Sequence, residues 1–304
     1  MSKNNFLKLT ALSIIGALIH NEYINIKSNI NNSFISNNYL EYKSSFGSVK
    51  YRRIGSGAPV LLIHNASVGD SDKEWDKIIP LFINRTVYTI NLPGCGNSDK
   101  NLLQYSNYIF SKVILEFIEN VIDDTTDIIT SGNSSTAAII TKMSDTNNYI
   151  KRLIFINPPK ITPLSTPDKK KKLFCRLIET PVIGSVIFNR KFTLKNVISD
   201  LEKKFCTSNS LSEDYSKEYY NRIHYKNVNS KYMYSSTELN LLYDNIEYLL
   251  TKINSFSIIT SSAYEQTAEK YKSINPNAQI IYINNCLDYP HIEQSQITMD
   301  KINL

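Results

Sequence analysis

The sequence predicts an α/β fold with a mostly parallel central sheet, helices on its faces and a helical cap inserted into the chain. Two observations support this prediction. From Ser45 onward, short apolar runs typical of buried strands alternate with segments of helical spacing. The alternation stops between about residues 160 and 240, where lysine and tyrosine are frequent, and then resumes. A length of 304 residues is sufficient for one large domain of this kind.

The first half of the predicted domain contains a parallel strand–helix–strand unit. The segment from Gly47 to Ile54 alternates like a strand, and Val60 to His64 is a continuous apolar run. Helical spacing between Asp72 and Phe82 and a strand from Thr86 to Asn91 follow. Because a crossover between parallel strands is almost always right-handed, we expect these elements to pack side by side.

The remaining elements follow the same logic. A single apolar stripe from Phe110 to Val121 predicts the clearest helix, and the apolar residues after Asp127 predict the next strand. Further strands are predicted at Arg152–Asn157, Phe256–Thr260 and Gln279–Ile283, with a final helix from about His291. Within the insertion, helical patterns occur at Lys171–Ile178 and Leu194–Phe205.

The amino-terminal part of the chain differs from this domain. We divide the chain into an apolar segment (1–28), a linker (29–44) and the domain (45–304), with Asn21–Asn38 as a tether. The uninterrupted apolar stretch Leu9–Ile19 is shorter than the roughly 18 to 20 residues of a spanning helix. An uncleaved anchor or interfacial helix, a signal peptide and a helix packed on the domain remain as alternatives. We expect membrane association through residues 6–19 of an otherwise cytoplasmic protein.

Charge and cysteine content exclude several functions. The net charge of +6 is spread thinly, and its densest run is Lys169–Lys172. Such a run is typical of a solvated helix face and also suits an acidic membrane surface, so no nucleic-acid partner is expected. Four separated cysteines without a CxxC pair or clustered histidines argue against a metal site and fit a reducing compartment. Without a Gly-x-Gly-x-x-Gly after the first strand, we expect no cofactor.

A candidate reactive residue lies where the strand after Asp127 ends. This strand leads through Gly132-Asn-Ser134 directly into a helix of small residues. A strand that ends in Gly-x-Ser and turns at once into a helix is typical of a nucleophile elbow, which exposes a serine hydroxyl. Ser134 is therefore the candidate nucleophile. The alternative is an ordinary strand-to-helix turn capped by serine, and Thr136 stands where the motif has its second glycine.

Several separated strings together resemble the α/β-hydrolase family. They are Gly55-Ser-Gly-Ala-Pro-Val-Leu-Leu-Ile-His64, Trp75, Leu92-Pro-Gly-Cys-Gly-Asn-Ser-Asp99, Gly132-Asn-Ser134 and Tyr289-Pro-His-Ile-Glu293. The resemblance extends from about Ser45 to the carboxyl terminus. It implies a serine nucleophile, a histidine base, a carboxylate that orients the histidine, and two backbone N–H groups that bind the oxyanion.

The oxyanion donors implied by the resemblance are in two loops. The N–H of Ser135, which follows the nucleophile, would be one donor. The second would come from the loop after His64, where Asn65 replaces the glycine of the family. His64 itself is interpreted as a hydrogen-bonded loop histidine at the edge of this pocket.

The implied base and acid are replaced in this sequence. Asp288 occupies the position of the catalytic histidine, and His291 matches a second, non-catalytic histidine of the motif. The acid position falls on Tyr264, and the adjacent Glu265 would substitute only if its loop shifted. An aspartate with an ordinary pKa near 4 is a poor base for a serine hydroxyl, so Asp288 could act only if burial raised its pKa strongly. In the alternative, His291 turns back by one helical turn to reach Ser134.

These replacements predict a hydrolase-like protein that is weak, atypical or inactive. Loss of one triad member costs several powers of ten in rate. We therefore expect a protein that binds a small apolar or acyl ligand beneath the insertion. The alternative is an active serine esterase or acyl hydrolase that uses Ser134 with His291 as a displaced base.

Overall fold

The computed structural model describes residues 3–30, 38–162, 165–207, 211–226 and 228–302. Its centre is one eight-stranded sheet with the strand order β1-β2-β4-β3-β5-β6-β7-β8. Only β2 runs antiparallel to its neighbours. The strands are β1 (Leu40–Ser44), β2 (Gly47–Gly55), β3 (Ala58–Ile63), β4 (Arg85–Ile90), β5 (Thr126–Ser131), β6 (Ile150–Ile156), β7 (Ser257–Ser261) and β8 (Gln279–Ile283).

Twelve α-helices are found in the described residues. They are α1 (Lys3–Ile30), α2 (Asn107–Phe117), α3 (Ser134–Ser144), α4 (Lys169–Glu179), α5 (Val182–Lys191), α6 (Leu194–Glu202), α7 (Glu213–His224), α8 (Ser230–Glu238), α9 (Glu247–Leu250), α10 (Glu265–Ile274), α11 (Pro290–Glu293) and α12 (Ser295–Ile302). The predicted α/β architecture with a mostly parallel sheet is confirmed.

The central strands are buried on both faces, as expected for parallel strands with helices on each side. Residues 59–63 of β3 and all six residues of β5 are buried. One hydrophobic cluster, which includes Leu61 and Phe155, packs under α2 and α3. A second, which includes Leu62 and Trp75, lies on the opposite face. These two cores fix the carboxyl ends of β3, β5 and β6 at one edge.

Three local predictions were wrong. The linker predicted at 29–44 contains β1, which pairs with β2 and has no apolar run of its own. The helix predicted at Asp72–Phe82 is two short 3₁₀ turns, Asp72–Trp75 and Ile79–Leu81, because Pro80 interrupts a continuous helix. The helix predicted to reach Val121 ends at Phe117 and continues as a π-helical turn.

The amino-terminal helix is longer than predicted. Helix α1 continues through half of the predicted tether Asn21–Asn38, whose residues 31–37 lie outside the described residues. Asn21 explains this extension, since its amide donates to the Val182 carbonyl of α5 and its oxygen accepts from Asn189. Ile24 is also buried. Among the described helices, none has the length and apolar character needed to cross a membrane.

Helices α4 to α8 follow β6 and precede β7, and we call them the covering helices. Their contacts hold them over the loops at the carboxyl edge of the sheet. The Tyr219 hydroxyl donates to the Val68 carbonyl at 2.7 Å, and Arg222 Nε donates to the Gly69 carbonyl at 3.0 Å. Phe205, beyond α6, packs on the ring of Tyr289 at 5.3 Å.

Candidate active site

The turn between β5 and α3 lies at the centre of the carboxyl edge, because β5 pairs with β3 on one side and β6 on the other. Gly132 follows the last residue of β5 and has a φ of +55°. Its N–H donates to the Ile156 carbonyl at 3.0 Å. The left-handed residue of the strand-to-helix turn is therefore Gly132, two positions before the serine that the sequence indicated.

The side chain of Asn65 fills the space in front of Gly132. A Cβ atom at position 132 would lie only 2.7 Å from Cγ of Asn65 and closer still to its amide oxygen. That oxygen accepts the backbone N–H of Asn133 at 2.9 Å. The amide nitrogen of Asn65 donates to the buried carboxylate of Asp70 at 2.7 Å. Because both ends of the amide are bonded, its position is fixed.

Ser134 is the first residue of α3 and is completely buried. Its hydroxyl donates to the backbone carbonyl of His64 in a short hydrogen bond. The prediction that Ser134 is exposed on the strained turn was wrong. The physical reason is that Asn133 already has right-handed helical dihedrals, so the helix begins before Ser134 can be presented to solvent.

The predicted oxyanion residues have other partners. The N–H of Ser135 donates to the Gly132 carbonyl at 3.1 Å, which closes the turn. The Ser135 hydroxyl is paired with that of Thr130 at 2.9 Å. Asn65 contributes its side chain to the site, and its own N–H points to the carboxyl of Glu74 at 3.3 Å. The family resemblance implied two backbone oxyanion donors, one at Ser135 and one in the loop after His64. In the structure the N–H groups of Ser135 and Asn65 both point to other groups of the protein.

His64 is a fully bonded loop histidine. The N–H of Leu92 donates to its Nε2 at 3.0 Å, so Nε2 is an acceptor. Its Nδ1 therefore holds the proton and donates to the Asn65 carbonyl at 2.7 Å. Burial lowers the pKa of His64, in agreement with this neutral form. Both ring nitrogens are thus bonded to backbone groups, one in the loop after β3 and one in the loop after β4.

Tyr264 and Asp288 are brought together as a pair. The Tyr264 hydroxyl donates to the Asp288 carboxylate in a short hydrogen bond. Burial raises the pKa of the Asp288 carboxyl, and the bond from Tyr264 opposes this increase. Burial and the nearby Asp288 carboxylate raise the pKa of the Tyr264 phenol. Glu265, by contrast, is an exposed residue in the first turn of α10 and is not brought into this pair.

His291 lies in a separate buried cluster. Its ring packs on Trp75 at 4.5 Å, and Nε2 is 3.7 Å from the carboxyl of Glu74. Neither ring nitrogen has a hydrogen-bond partner among the described residues. Burial lowers the pKa of His291 to about 3. Burial and the neighbouring Asp70 carboxylate raise the pKa of the Glu74 carboxyl.

Sequence reasoning missed three residues that organise this edge. Asp70 and Glu74 hold the side chain and the backbone N–H of Asn65, respectively. Asn157, with a φ of +43°, donates from its amide to the carbonyls of Leu287 and Asp288. An asparagine directly after an apolar strand is the one signal in the sequence that could have indicated Asn157. Buried acids in a loop carry no comparable signal.

Two hollows adjoin the Tyr264–Asp288 pair. The smaller one has a volume of about 190 Å³ and is lined by Gly132, Asn133, Pro158 and Lys160, among others. The larger one has a volume of about 580 Å³ and lies against the covering helices. Tyr264 and Asp288 line both hollows. In the described part of the chain, no three metal-ligating side chains lie together in a group that could hold an ion.

Comparison with solved structures identifies the architecture. An epoxide hydrolase, CorEH, superposes with a TM-score of 0.70 at 18% identity and covers 87% of this chain and 96% of its own. A bromoperoxidase from Bacillus anthracis gives 0.68 at 14% identity, with 87% and 98% covered. The chain adopts the α/β-hydrolase fold. A bacterial membrane phospholipase A with this fold covers 99% of the chain and 97% of its own at 16% identity, with a TM-score of 0.66.

Comparison of the sequence alone does not identify the fold. No protein-family model matches the chain, and no curated protein matches it. The α/β-hydrolase fold is therefore recognised through its strand order and its short motifs. In that fold the nucleophile stands on the sharp turn between a strand and a helix, and the acid and histidine follow in that order. In this chain the turn between β5 and α3 lies at Gly132, Tyr264 follows β7, and Asp288 follows β8.

Proposed function

We propose that this chain is a catalytically inactive protein of the α/β-hydrolase fold that binds a small ligand with an apolar part beneath the covering helices. The observation that carries the proposal is the turn at Gly132. Acyl transfer in this fold needs a nucleophilic side chain on that turn, and glycine has none. The neighbouring serine is buried and bonded to a backbone carbonyl.

The oxyanion site supports the same proposal. The N–H of the residue after the turn, Asn133, is the donor that would bind a developing oxyanion. Here it donates to the amide oxygen of Asn65, which is held from its other end by Asp70. A substrate carbonyl would have to displace an internal, buried hydrogen bond. The side-chain amide oxygen of Asn65 thus accepts the hydrogen bond that a substrate carbonyl oxygen would need.

The Tyr264–Asp288 pair contains no imidazole that could accept the proton of a hydroxyl nucleophile. The Asp288 carboxylate already accepts a hydrogen bond from the Tyr264 hydroxyl, and burial raises the pKa of the Asp288 carboxyl. The phenol of Tyr264 is a weaker acid than usual, since its pKa is also raised. A tyrosine–aspartate pair of this kind is suited to hydrogen-bonding a polar group of a ligand.

The larger hollow supports ligand binding. Its volume of about 580 Å³ lies within the range of roughly 300 to 1,000 Å³ found for small-molecule sites. Its wall includes apolar and aromatic side chains and three lysines, namely Phe192, Val197, Leu201, Ile223, Tyr234, Lys191, Lys203 and Lys204. Polar groups at its rim, among them Tyr264 and Asp288, can orient one end of a ligand. This arrangement favours an amphipathic small molecule.

Active-site labelling tests the loss of catalysis. The full chain is treated with a serine-reactive fluorophosphonate, next to its Ser134→Ala variant, and labelling is measured by mass spectrometry. We expect no stoichiometric label on either protein. A label on the wild-type chain that is lost in Ser134→Ala would overturn the proposal and favour an active serine hydrolase.

A fluorescent amphiphile tests ligand binding. Anilinonaphthalene sulfonate is titrated into the full chain and into Thr237→Trp, which places a large side chain in the larger hollow. Thr251→Trp, at an exposed position after α9, is the matched control. We expect saturable fluorescence for the wild type and the control, and at least a tenfold weaker affinity for Thr237→Trp. Equal binding by all three proteins would contradict a site in this hollow.

A further inference from the structure

The first half of α1 has an unusual environment. Leu12, Ile15, Leu18 and Ile19 are all exposed, although each is large and apolar. Among the described contacts of α1 with the domain are those of its later residues Asn21 and Ile24. An apolar helix of a folded protein normally buries its apolar side, so this part of α1 requires another apolar environment.

The adjacent helices extend this apolar surface. Helix α1 packs against α5, and α5 packs against α4. Ile183 of α5 is 59% exposed, and Leu173 and Leu177 of α4 are 68% and 42% exposed. Three packed helices thus present apolar side chains that the domain does not cover. We call the exposed apolar side chains of α1, α4 and α5 the apolar face.

Basic residues accompany the apolar face. On α4, Lys169, Lys170, Lys172 and Arg176 are exposed between and beside the leucines. Lysine and arginine beside exposed apolar residues are typical of helices that lie at a membrane interface, where the charged ends reach the headgroups. Each basic residue near an anionic membrane contributes about 1 kcal/mol of attraction.

We propose that the apolar face binds the surface of an anionic lipid bilayer, with the first half of α1 inserted into one leaflet. The eleven-residue stretch Leu9–Ile19 would be about 16 Å long as a helix, roughly half of a 30 Å hydrocarbon core. It reaches into one leaflet and does not cross the bilayer. This proposal is independent of the proposed loss of catalysis, since it uses other residues and a different surface.

Vesicle sedimentation with the full chain tests this proposal. The vesicles contain phosphatidylcholine alone or phosphatidylcholine mixed with phosphatidylserine. We expect binding to the mixed vesicles that weakens as the salt concentration rises, and much weaker binding to phosphatidylcholine alone. No binding, or equal binding to both kinds of vesicle, would overturn the proposal.

Two variants locate the surface. In the first, Leu12→Glu is combined with Ile15→Glu, and we expect a loss of affinity of about 100-fold or more. Its matched control combines Ile83→Glu with Leu102→Glu, two side chains that are at least as exposed but lie outside the apolar face. In the second, Lys169, Lys170 and Lys172 are replaced by glutamine, with an expected loss of about 100-fold. Its control replaces the exposed Lys43, Lys112 and Lys151 by glutamine.

Controls that bind vesicles like the wild type, with both test variants impaired, support the proposal. Equal loss in the test and control variants would overturn it, because general charge or apolarity would then explain binding. Light scattering of the lipid-free chain tests whether a second copy of the chain covers the apolar face instead. A dimer that dissociates in the Leu12→Glu, Ile15→Glu variant, without vesicle binding by the wild type, would assign the apolar face to a second copy of the chain.

Discussion

The amide of Asn65 lies where a side chain on Gly132 would have to be placed. Its oxygen accepts the Asn133 N–H, and its nitrogen donates to Asp70. The two positions are therefore coupled, because the glycine leaves the space that the amide fills. Introducing a nucleophilic side chain at position 132 requires a change at position 65 as well.

This coupling predicts a non-additive mutant cycle. Gly132→Ala should lower the free energy of unfolding by about 2 to 3 kcal/mol, because the new Cβ meets Asn65 and the backbone has a positive φ. Asn65→Gly should itself cost about 1 to 3 kcal/mol through the lost hydrogen bonds. In the Asn65→Gly background, Gly132→Ala should cost at least about 1 kcal/mol less. Urea unfolding measures all four proteins.

A control is available in α1. A Cβ atom added at Gly16 would meet no atom of another element within 4 Å among the described residues. Gly16→Ala should therefore be neutral or stabilising by up to about 1 kcal/mol. A double variant that loses as much free energy of unfolding as the sum of Asn65→Gly and Gly132→Ala, within about 0.5 kcal/mol, would show that the two residues are not coupled.

Ser134 should contribute to stability and not to reactivity. Ser134→Ala removes a buried hydrogen bond to the His64 carbonyl and should lower the free energy of unfolding by about 1 to 2 kcal/mol. Ser144→Ala, at the exposed end of α3, removes a bond to the Ile140 carbonyl and should change it by less than about 0.5 kcal/mol. Equal effects of the two substitutions in thermal or urea unfolding would argue against this structural role.

Asp288→Asn should raise the free energy of unfolding by an amount that depends on pH. The folded pKa of the Asp288 carboxyl is raised, so the unfolded chain loses this proton at lower pH than the folded chain does. As pH rises through the folded pKa, the unfolded state is favoured and stability falls. Asp288→Asn removes this effect and still accepts a bond from Tyr264. Urea unfolding should show the variant to be more stable relative to wild type at pH 7 than at about pH 4. A constant difference would contradict the raised pKa.

Buried histidines predict acid sensitivity. Burial lowers the pKa of His64, of His224 to about 4 and of His291 to about 3. Below the unfolded pKa of about 6.5, the unfolded chain therefore binds more protons than the folded chain, and stability falls with falling pH. Each histidine contributes a slope of up to about 1.4 kcal/mol per pH unit.

Unfolding between about pH 7.5 and pH 5.5 measures this slope. His291→Gln should reduce it by the share of one histidine, whatever the substitution does to stability at neutral pH. A slope that His291→Gln leaves unchanged would refute the neutral, buried state of His291.

Much of the fold could be predicted because its strands are continuous apolar runs. The strand at Val60–His64 was found within two residues of its ends, because a buried parallel strand is a continuous apolar run. The partly buried edge strand Gln279–Ile283 was found because it also contains such a run. Strand β1 was missed because its sequence, Leu40-Glu-Tyr-Lys-Ser44, contains no apolar run. The two 3₁₀ turns were missed because their apolar residues have helical spacing while Pro80 prevents a helix.

The site was predicted less completely. The places of Tyr264 and Asp288 could be read from motif spacing, but their mutual hydrogen bond could not. The elbow was assigned to Ser134 because Gly-x-Ser is the expected string, although the chain turns at the glycine itself. A string does not state where a strand ends. The fit of Asn65 against Gly132 depends on two loops that are distant in sequence.

Helix α5 connects the surface that we assign to a bilayer with the larger hollow. Asn21 of α1 bonds to Val182 and Asn189, and the last residue of α5, Lys191, lines the hollow. Helix α5 has ten residues and is about 15 Å long, so a displacement of α1 that moved α5 as a unit would also move Lys191 at the wall of the hollow. By thermodynamic linkage, lipid contact and ligand occupancy would then each change the equilibrium constant of the other by the same factor.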